Sequence, residues 1–154
     1  MAVPIQTQIT RNIVGTLKTV TKQNGYGNTL IVERPNPSLG NRERDSLCIV
    51  VPQTPARVGT APMSHVEWDM PYAIVCIVVE SDQSDVTLDE RLDSIRADVE
   101  KALTYQTHTR GNLAIDTIVD DPDYEIDGLD AHMAYVTVNL HVKFRTLYND
   151  PFNQ

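Results

Sequence analysis

Histidine is the residue type in this chain best suited to acid–base or metal chemistry, and there are four: His65, His108, His132 and His141. None stands at the spacing of an HExxH or HxxxH site, so we predict no metal site and no cofactor. His141 lies on the polar side of a predicted strand, and a pocket beside it or beside His65 could support acid–base catalysis. Polar residues on an open sheet face are more commonly solvated or interfacial, so we expect no catalytic residue.

An acidic run, DDPDYEIDGLD at 120–130, resembles a calcium loop only superficially. An EF-hand loop needs acids at alternate positions, a central glycine and a terminal glutamate, and this run does not keep that register. We predict a solvated acidic loop, with weak binding of a divalent cation as the alternative. The segment GYG lacks the frame of a phosphate loop, and no GxSxG elbow surrounds any serine.

Two cysteines, Cys48 and Cys76, stand inside the apolar runs SLCIVV and AIVCIVV. Without a CxxC motif or a histidine at ligand spacing, they are predicted to be buried free thiols in a reducing compartment. A disulfide between them is the alternative.

Length and composition indicate one globular domain over residues 1–154, with 41% hydrophobic and 22% charged residues. No apolar run approaches the ~20 residues that cross a bilayer, and we expect no secretory signal and no membrane partner. The net charge of −8 disfavours tight nucleic-acid binding, because phosphate contacts need clustered Lys and Arg.

Apolar residues recur at helical spacing in two segments. The first predicts a helix over 5–22, which ends at the turn residues of NGYGN (24–28). The second predicts a helix over 88–105, beginning at a capping box formed by Thr87 and Glu90. The residues that define these two faces are Ile5, Ile9, Ile13, Leu17 and Val20, then Leu88, Leu92, Ile95, Val99 and Leu103.

The remaining periodic segments predict strands, and their order predicts an α+β fold: a mainly antiparallel sheet with both helices on one face. Strands are expected at TLIVER, SLCIVVP, YAIVCIVVE, the segment after RGNL, and 132–146. Residues 52–71 hold four prolines, so we expect an extended loop or hairpin there, with HVEW starting a further strand. At ~3.3 Å per residue the last strand is roughly 45 Å long, longer than the domain is wide. We expect it to bend or overhang, with an edge that a neighbouring molecule pairs.

Several of these segments together resemble the tail terminator proteins, also called tail completion proteins, of long-tailed bacteriophages and related minor tail proteins. The likeness rests on the strand ending in VER, the helix TLDERLDSIRADVEKAL followed by a GNL turn, and the ending V-x-F-R-T-L-Y-N-D-P-F.

This resemblance implies a non-enzymatic virion protein, assembled in the host cytoplasm, that forms a six-fold ring at the head-proximal end of the tail tube. The ring would stop tube polymerisation and present the surface to which the head joins. Its partners would be further copies of itself, the tail tube protein and a head-completion or connector protein, with DNA passing through the lumen unbound. Alternatives are a head-closure adaptor, another minor tail protein, and a small acid–base enzyme or ligand-binding module.

On this interpretation residues 147–154 form an interface arm. Leu147, Tyr148 and Phe152 would be its apolar anchors, and Pro151 would stiffen it. The alternative is that Leu147 and Tyr148 fold back on their own core and that the last residues are disordered. Two arginines of the 35–46 connector, Arg42 and Arg44, are further candidates for contact with an acidic neighbour.

Overall fold

Seven strands form one mixed, mostly antiparallel sheet, and two α-helices pack on one of its faces. The predicted α+β fold is therefore confirmed. The computed structural model describes residues 2–35, 44–61, 64–80, 86–126 and 132–154, with backbone only at 60–61. Within those ranges, no helix is apolar enough over a sufficient length to cross a membrane.

The helices are α1 (Ile5–Lys18) and α2 (Leu88–Thr104), with a 3-10 turn at Lys22–Asn24. The strands are β1 (Ile31–Glu33), β2 (Leu47–Pro52), β3 (Ala56–Ala61), β4 (His65–Val79), β5 (Asp116–Val119), β6 (Asp123–Ile126) and β7 (Met133–Leu147).

The centre of the sheet is a pair of equally long strands. The order is β1-β2-β4-β7-β5, with β3 beside β4, β6 beside β7, and β1 parallel to β2. β4 and β7 each have 15 residues and pair along their whole length, from His65 with Leu147 to Val79 with Met133. The expectation that the long last strand needs another molecule along its edge is wrong on this side, because β4 covers it completely. β5 and β6 pair with parts of its other edge.

Strict alternation along β7 places one set of its side chains under the helices. Every second residue from Ala134 to Thr146 is buried, as the sequence pattern predicts. These residues meet the buried stripes of α1 and α2 in a single core. The other face of β7 is polar over its second half, so the sheet carries water-facing side chains there.

β4 continues through Pro71, which the sequence analysis placed between two separate strands. The carbonyl of Pro71 accepts a hydrogen bond from the Gln53 N–H at 2.9 Å. On this same edge β4 changes partner, from β2, which ends at Pro52, to β3, which begins at Ala56. The nitrogen of Pro71, which has no hydrogen to donate, therefore lies where β4 pairs with neither β2 nor β3. No hydrogen bond between strands is lost there. The predicted hairpin in 52–71 is confirmed as β3 and the first part of β4.

Three local predictions differ from the structure. α1 ends at Lys18, because Thr19 turns its hydroxyl onto the Thr16 carbonyl at 2.6 Å and the chain leaves the helix. α2 has the predicted position, but Thr87 makes no capping hydrogen bond; it bonds instead to Asp89, which lowers the pKa of that carboxyl. Part of the predicted acidic loop is strand β6, because its residues pair with β7.

A buried arginine lies after α2. Arg110 is fully buried, and its Nη2 donates to the carbonyl of Leu103, in the last turn of α2, and to the carbonyl of Thr107, which follows the helix. The last carbonyls of a helix have no partner inside it, and the helix dipole favours a cation there. Burial lowers the pKa of Arg110 to about 10. Among the residues that the structure describes, its Nε and Nη1 find no hydrogen-bond partner.

Candidate assembly surface

The last seven residues, 148–154, form a compact turn that we call the tail. Asn149 adopts a left-handed backbone conformation (φ 64°), which asparagine tolerates, and the chain reverses after β7. The Asp150 N–H then bonds the Leu147 carbonyl at 3.0 Å. The Asp150 carboxylate accepts from the Phe152 N–H at 3.1 Å and from Asn153 Nδ2 at 2.7 Å. The backbone conformation of Asn149 and the hydrogen bonds of Asp150 therefore determine the fold of the tail.

Main-chain hydrogen bonds fasten the tail to three separate parts of its own chain. Tyr148 N–H donates to the Ser64 carbonyl at 2.6 Å, and Leu147 N–H to the Asn153 carbonyl at 2.9 Å. Ile5 N–H, in the first turn of α1, donates to the Pro151 carbonyl at 3.0 Å. Gln154 Nε2 donates to the Leu113 carbonyl. The backbone of this segment therefore folds back on its own domain and is hydrogen-bonded as far as Gln154, whereas the alternative expected the last residues to be disordered.

The aromatic side chains of the tail nevertheless point outward. Tyr148 is 55% exposed and Phe152 is 41% exposed. Pro151 is also exposed, and Leu147 is partly covered. The tail thus combines a fixed backbone with open apolar side chains, which limits the entropy that a partner would have to remove on binding.

A stack of side chains lines the surface beside the tail. The pairing of β3, β4 and β7 aligns Arg57, Trp68 and Phe144 across three strands. The Arg57 guanidinium lies 5.0 Å from the centre of the Trp68 ring, and the Trp68 and Phe144 rings are 6.4 Å apart and nearly parallel. Trp68 Nε1 donates to Thr146 Oγ1 at 3.0 Å. Cation–π contact, ring packing and this hydrogen bond hold the indole in one orientation.

Two grooves flank Trp68. One, of about 290 Å³, lies between Arg57 and the tail residues Tyr148 and Pro151. The other, of about 240 Å³, lies between Pro4 and Phe144, and Pro151 also lines it. Trp68 and Arg57 were not singled out by sequence reasoning. The available signal was the single tryptophan of the chain in a proline-rich segment.

Of the two predicted arginine candidates, the structure describes Arg44, which does not line either groove. Arg44 forms an ion pair with Glu33 of its own chain. Its charge is therefore used within the subunit. Arg42 lies outside the described residues.

The histidine alternative also has a defined geometry. His141 Nδ1 lies 2.8 Å from Asp120 Oδ2, and Asn139 Nδ2 donates to Asp123 Oδ2 at 2.9 Å. These contacts tie β7 to the segment between β5 and β6. Over the ranges that the structure describes, no group of three or more His, Cys, Asp or Glu residues is arranged to hold a metal ion.

Opposite edges of the sheet carry opposite charge. Residues 2–34 contain four basic residues and one acid, Glu33, which forms an ion pair with Arg44, and α1 packs beside β1 at the first edge. We define the basic edge as Arg11, Lys18, Lys22 and Arg34, all of them exposed. At the far edge, residues 113–126 contain five acids and no Lys or Arg. We define the acidic edge as Asp116, Asp120, Asp121, Asp123 and Glu125.

No protein-family model matches this chain, and neither does any curated protein.

The acidic edge is anchored to the helix layer. Tyr124 of β6 donates its hydroxyl hydrogen to Asp93 at 2.7 Å and accepts from Arg96 Nε at 2.7 Å. Burial, and then the bond to Asp93, raise the pKa of Tyr124. With Tyr124 bound to α2, the side chains of Asp123 and Glu125 alternate to the opposite face of the strand.

Proposed function

We propose that this protein is a structural subunit of a phage tail. Copies of it form a six-fold ring at the head-proximal end of the tail tube, where the ring ends polymerisation and presents the surface for head joining. DNA passes through the ring without being held. The support is the resemblance of VER, TLDERLDSIRADVEKAL and the C-terminal segment to tail terminator proteins, together with an α+β fold of the kind that the resemblance implies.

The observation that supports an assembly role is the geometry of the C-terminal residues 148–154, named the tail above. Its backbone is held by hydrogen bonds to Ile5 and Ser64, while the rings of Tyr148 and Phe152 are exposed. Aromatic anchors on a rigid frame are typical of binding hot spots, because little conformational entropy is lost when they are covered. We therefore assign the contact with a neighbouring subunit or partner ring to these two side chains.

The charge pattern supports ring closure. A ring forms when each subunit uses two different surfaces, one to contact the subunit before it and one to contact the subunit after it. The basic edge around Lys18 and Lys22 and the acidic edge around Asp121 and Glu125 lie at opposite ends of the strand order. Head-to-tail packing of these edges would bring opposite charges together, whereas back-to-back packing would bring like charges together.

Passage of DNA agrees with the net charge of −8. Affinity for the DNA backbone comes mainly from Lys and Arg that neutralise phosphates. A ring of subunits with excess negative charge would repel the phosphates, so DNA would slide through it.

Native mass spectrometry tests this proposal directly. The full chain is measured alone and after mixing with tail tubes that lack their terminator, and a parallel sample is mixed with heads that carry a connector. We expect closed rings, or tubes that gain one discrete cap of six copies. Binding to the heads but not to the tubes would favour a head-closure adaptor instead. A persistent monomer that binds neither would contradict the proposal and turn attention to His141 and Asp120.

A further inference from the structure

The two cysteines face each other across the paired strands β2 and β4. Cys48 of β2 and Cys76 of β4 are directly opposed in the antiparallel register. Their sulfur atoms are 3.0 Å apart, and both side chains are fully buried and unlinked. The sequence prediction of buried free thiols is confirmed, but their contact could not be read from two separate apolar runs.

The strand register permits a covalent bond between them. Gln53 N–H donates to the Pro71 carbonyl, so residues 53 and 71 form a hydrogen-bonded pair. Pair types alternate along an antiparallel ladder, which makes Cys48 and Cys76 a non-hydrogen-bonded pair. In such pairs the Cα atoms are about 4.5 Å apart, inside the range of about 4.4–6.8 Å found for disulfides. The two sulfurs need to approach by only about 1 Å to reach bonding distance.

We propose that Cys48 and Cys76 are a modification site, at which a thiol oxidant forms an intramolecular disulfide that joins β2 to β4. Each thiol loses its hydrogen, and together the two sulfurs lose two electrons as the S–S bond forms. The oxidant takes up both electrons and both protons. A diazene such as diamide becomes its hydrazine, and a small-molecule disulfide becomes two thiols. This inference stands whether or not the chain forms a ring.

Burial makes the reaction slow in the folded protein. The hydrogen bond with the Cys48 sulfur, and then burial, raise the pKa of Cys76, so little reactive thiolate is present at neutral pH. An oxidant reaches the pair only when the sheet opens locally. Of the two strands that carry the cysteines, β2 opens more easily, because among the described residues only the three-residue β1 covers its other edge. Low concentrations of urea should therefore accelerate the oxidation.

The bond should stabilise the fold. It joins residues 28 positions apart, so it restricts the unfolded chain while leaving the native register unchanged. For a domain of this size we expect the melting temperature to rise by about 5–10 °C, and a reductant should reverse the rise.

The test treats the full chain with diamide in dilute urea, removes both reagents, and measures intact mass, free thiols and melting temperature. We expect a monomer that has lost two hydrogens, has no free thiol and melts at the higher temperature. The matched Cys48→Ala and Cys76→Ala variants should show no such rise after the same treatment. Covalent dimers without an intramolecular bond, or an oxidised monomer that melts lower than the reduced protein, would overturn the proposal. If the alanine variants fold poorly, blocking both thiols of the wild-type chain in urea before oxidation provides the same control.

Discussion

The main-chain N–H of Ile5 donates to the carbonyl oxygen of Pro151 at 3.0 Å, which binds the first turn of α1 to the tail. These residues lie near opposite ends of the chain. The bond satisfies one of the N–H groups that the start of a helix leaves without a partner. The start of α1 and the tail are therefore joined, and Trp68 lines the grooves beside them.

The exposed rings of the tail should be needed for assembly and dispensable for folding. We expect the double variant Tyr148→Ala, Phe152→Ala to weaken ring formation or tube capping about tenfold or more, because hot-spot aromatics carry much of the binding energy. Its melting temperature should stay within about 2 °C of wild type, since both rings are exposed. Native mass spectrometry and thermal melts measure the two effects.

A matched control exists at the end of α2. Tyr105 is 64% exposed, and Tyr105→Ala removes an equally open ring from another part of the surface. Assembly should be unchanged in this variant. Equal loss of assembly in the control and in the tail variant would contradict the role given to the tail.

Deleting residues 148–154 should have a different signature from the side-chain variant. The deletion removes the acceptors of the Leu147 and Ile5 N–H groups and the donor to the Ser64 carbonyl. At about 1 kcal/mol per hydrogen bond, unfolding free energy should fall by about 2–3 kcal/mol, which lowers the melting temperature by roughly 5–10 °C. Truncation therefore weakens both folding and assembly, contrary to the simple expectation that the tail is a free arm. A truncated protein that melts like wild type would show that these bonds are not formed in solution.

Charge reversal at the two edges tests head-to-tail packing. Lys18→Glu and Lys22→Glu change the net charge of the basic edge from +4 to zero, and Asp121→Lys and Glu125→Lys change that of the acidic edge from −5 to −1. Each pair of substitutions should weaken assembly and reduce its dependence on salt. The chain with all four substitutions has lost the attraction between the edges, so its rings should be the weakest and should not respond to salt. Rings that form as well as wild type in both double variants would exclude this contact.

Arg110 should make stability depend on pH in the alkaline range. Burial lowers its pKa to about 10 in the folded protein, well below its value in the unfolded chain, so above pH 10 the unfolded state binds more protons. Raising the pH therefore favours the folded state. Compared with an Arg110→Met variant, wild type should gain up to about 1.4 kcal/mol of unfolding free energy per pH unit above pH 10. Urea titrations of both proteins at pH 8, 10 and 11 measure this difference, which should be constant below pH 10. A difference that stays constant to pH 11 would show that the guanidinium is not desolvated.

The helices and the strands that pack on the core were predictable because their signals are local. The apolar stripe of α2 repeats every three to four residues, and β7 alternates for its full 15 residues. Errors occurred where two local signals competed. Pro71 reads as a strand breaker, but its place opposite the gap between β2 and β3 makes it harmless. Thr87 and Glu90 read as a capping box, but the Thr87 hydroxyl bonds Asp89 instead.

The candidate surface was only half predictable. Tyr148 and Phe152 follow a strand that ends, and that position alone suggested an exposed apolar segment. The stack beside the tail was not visible, because Trp68 and Phe144 are separated by dozens of residues and meet only through the register of β4 and β7. No periodicity links two such positions.

By itself the sequence determined the α+β class, the positions of both helices, the half-buried last strand and the acidic balance, because these depend on neighbouring residues and on composition. Only the tertiary structure decided which residues meet. It paired Cys48 with Cys76, covered the long strand with β4, and buried Arg110 against the end of α2. It also closed the tail onto Ile5. The local sequence pattern of each segment is the same whichever segment it contacts, so the pattern does not indicate the partner. The packing of the whole sheet selects which segments meet.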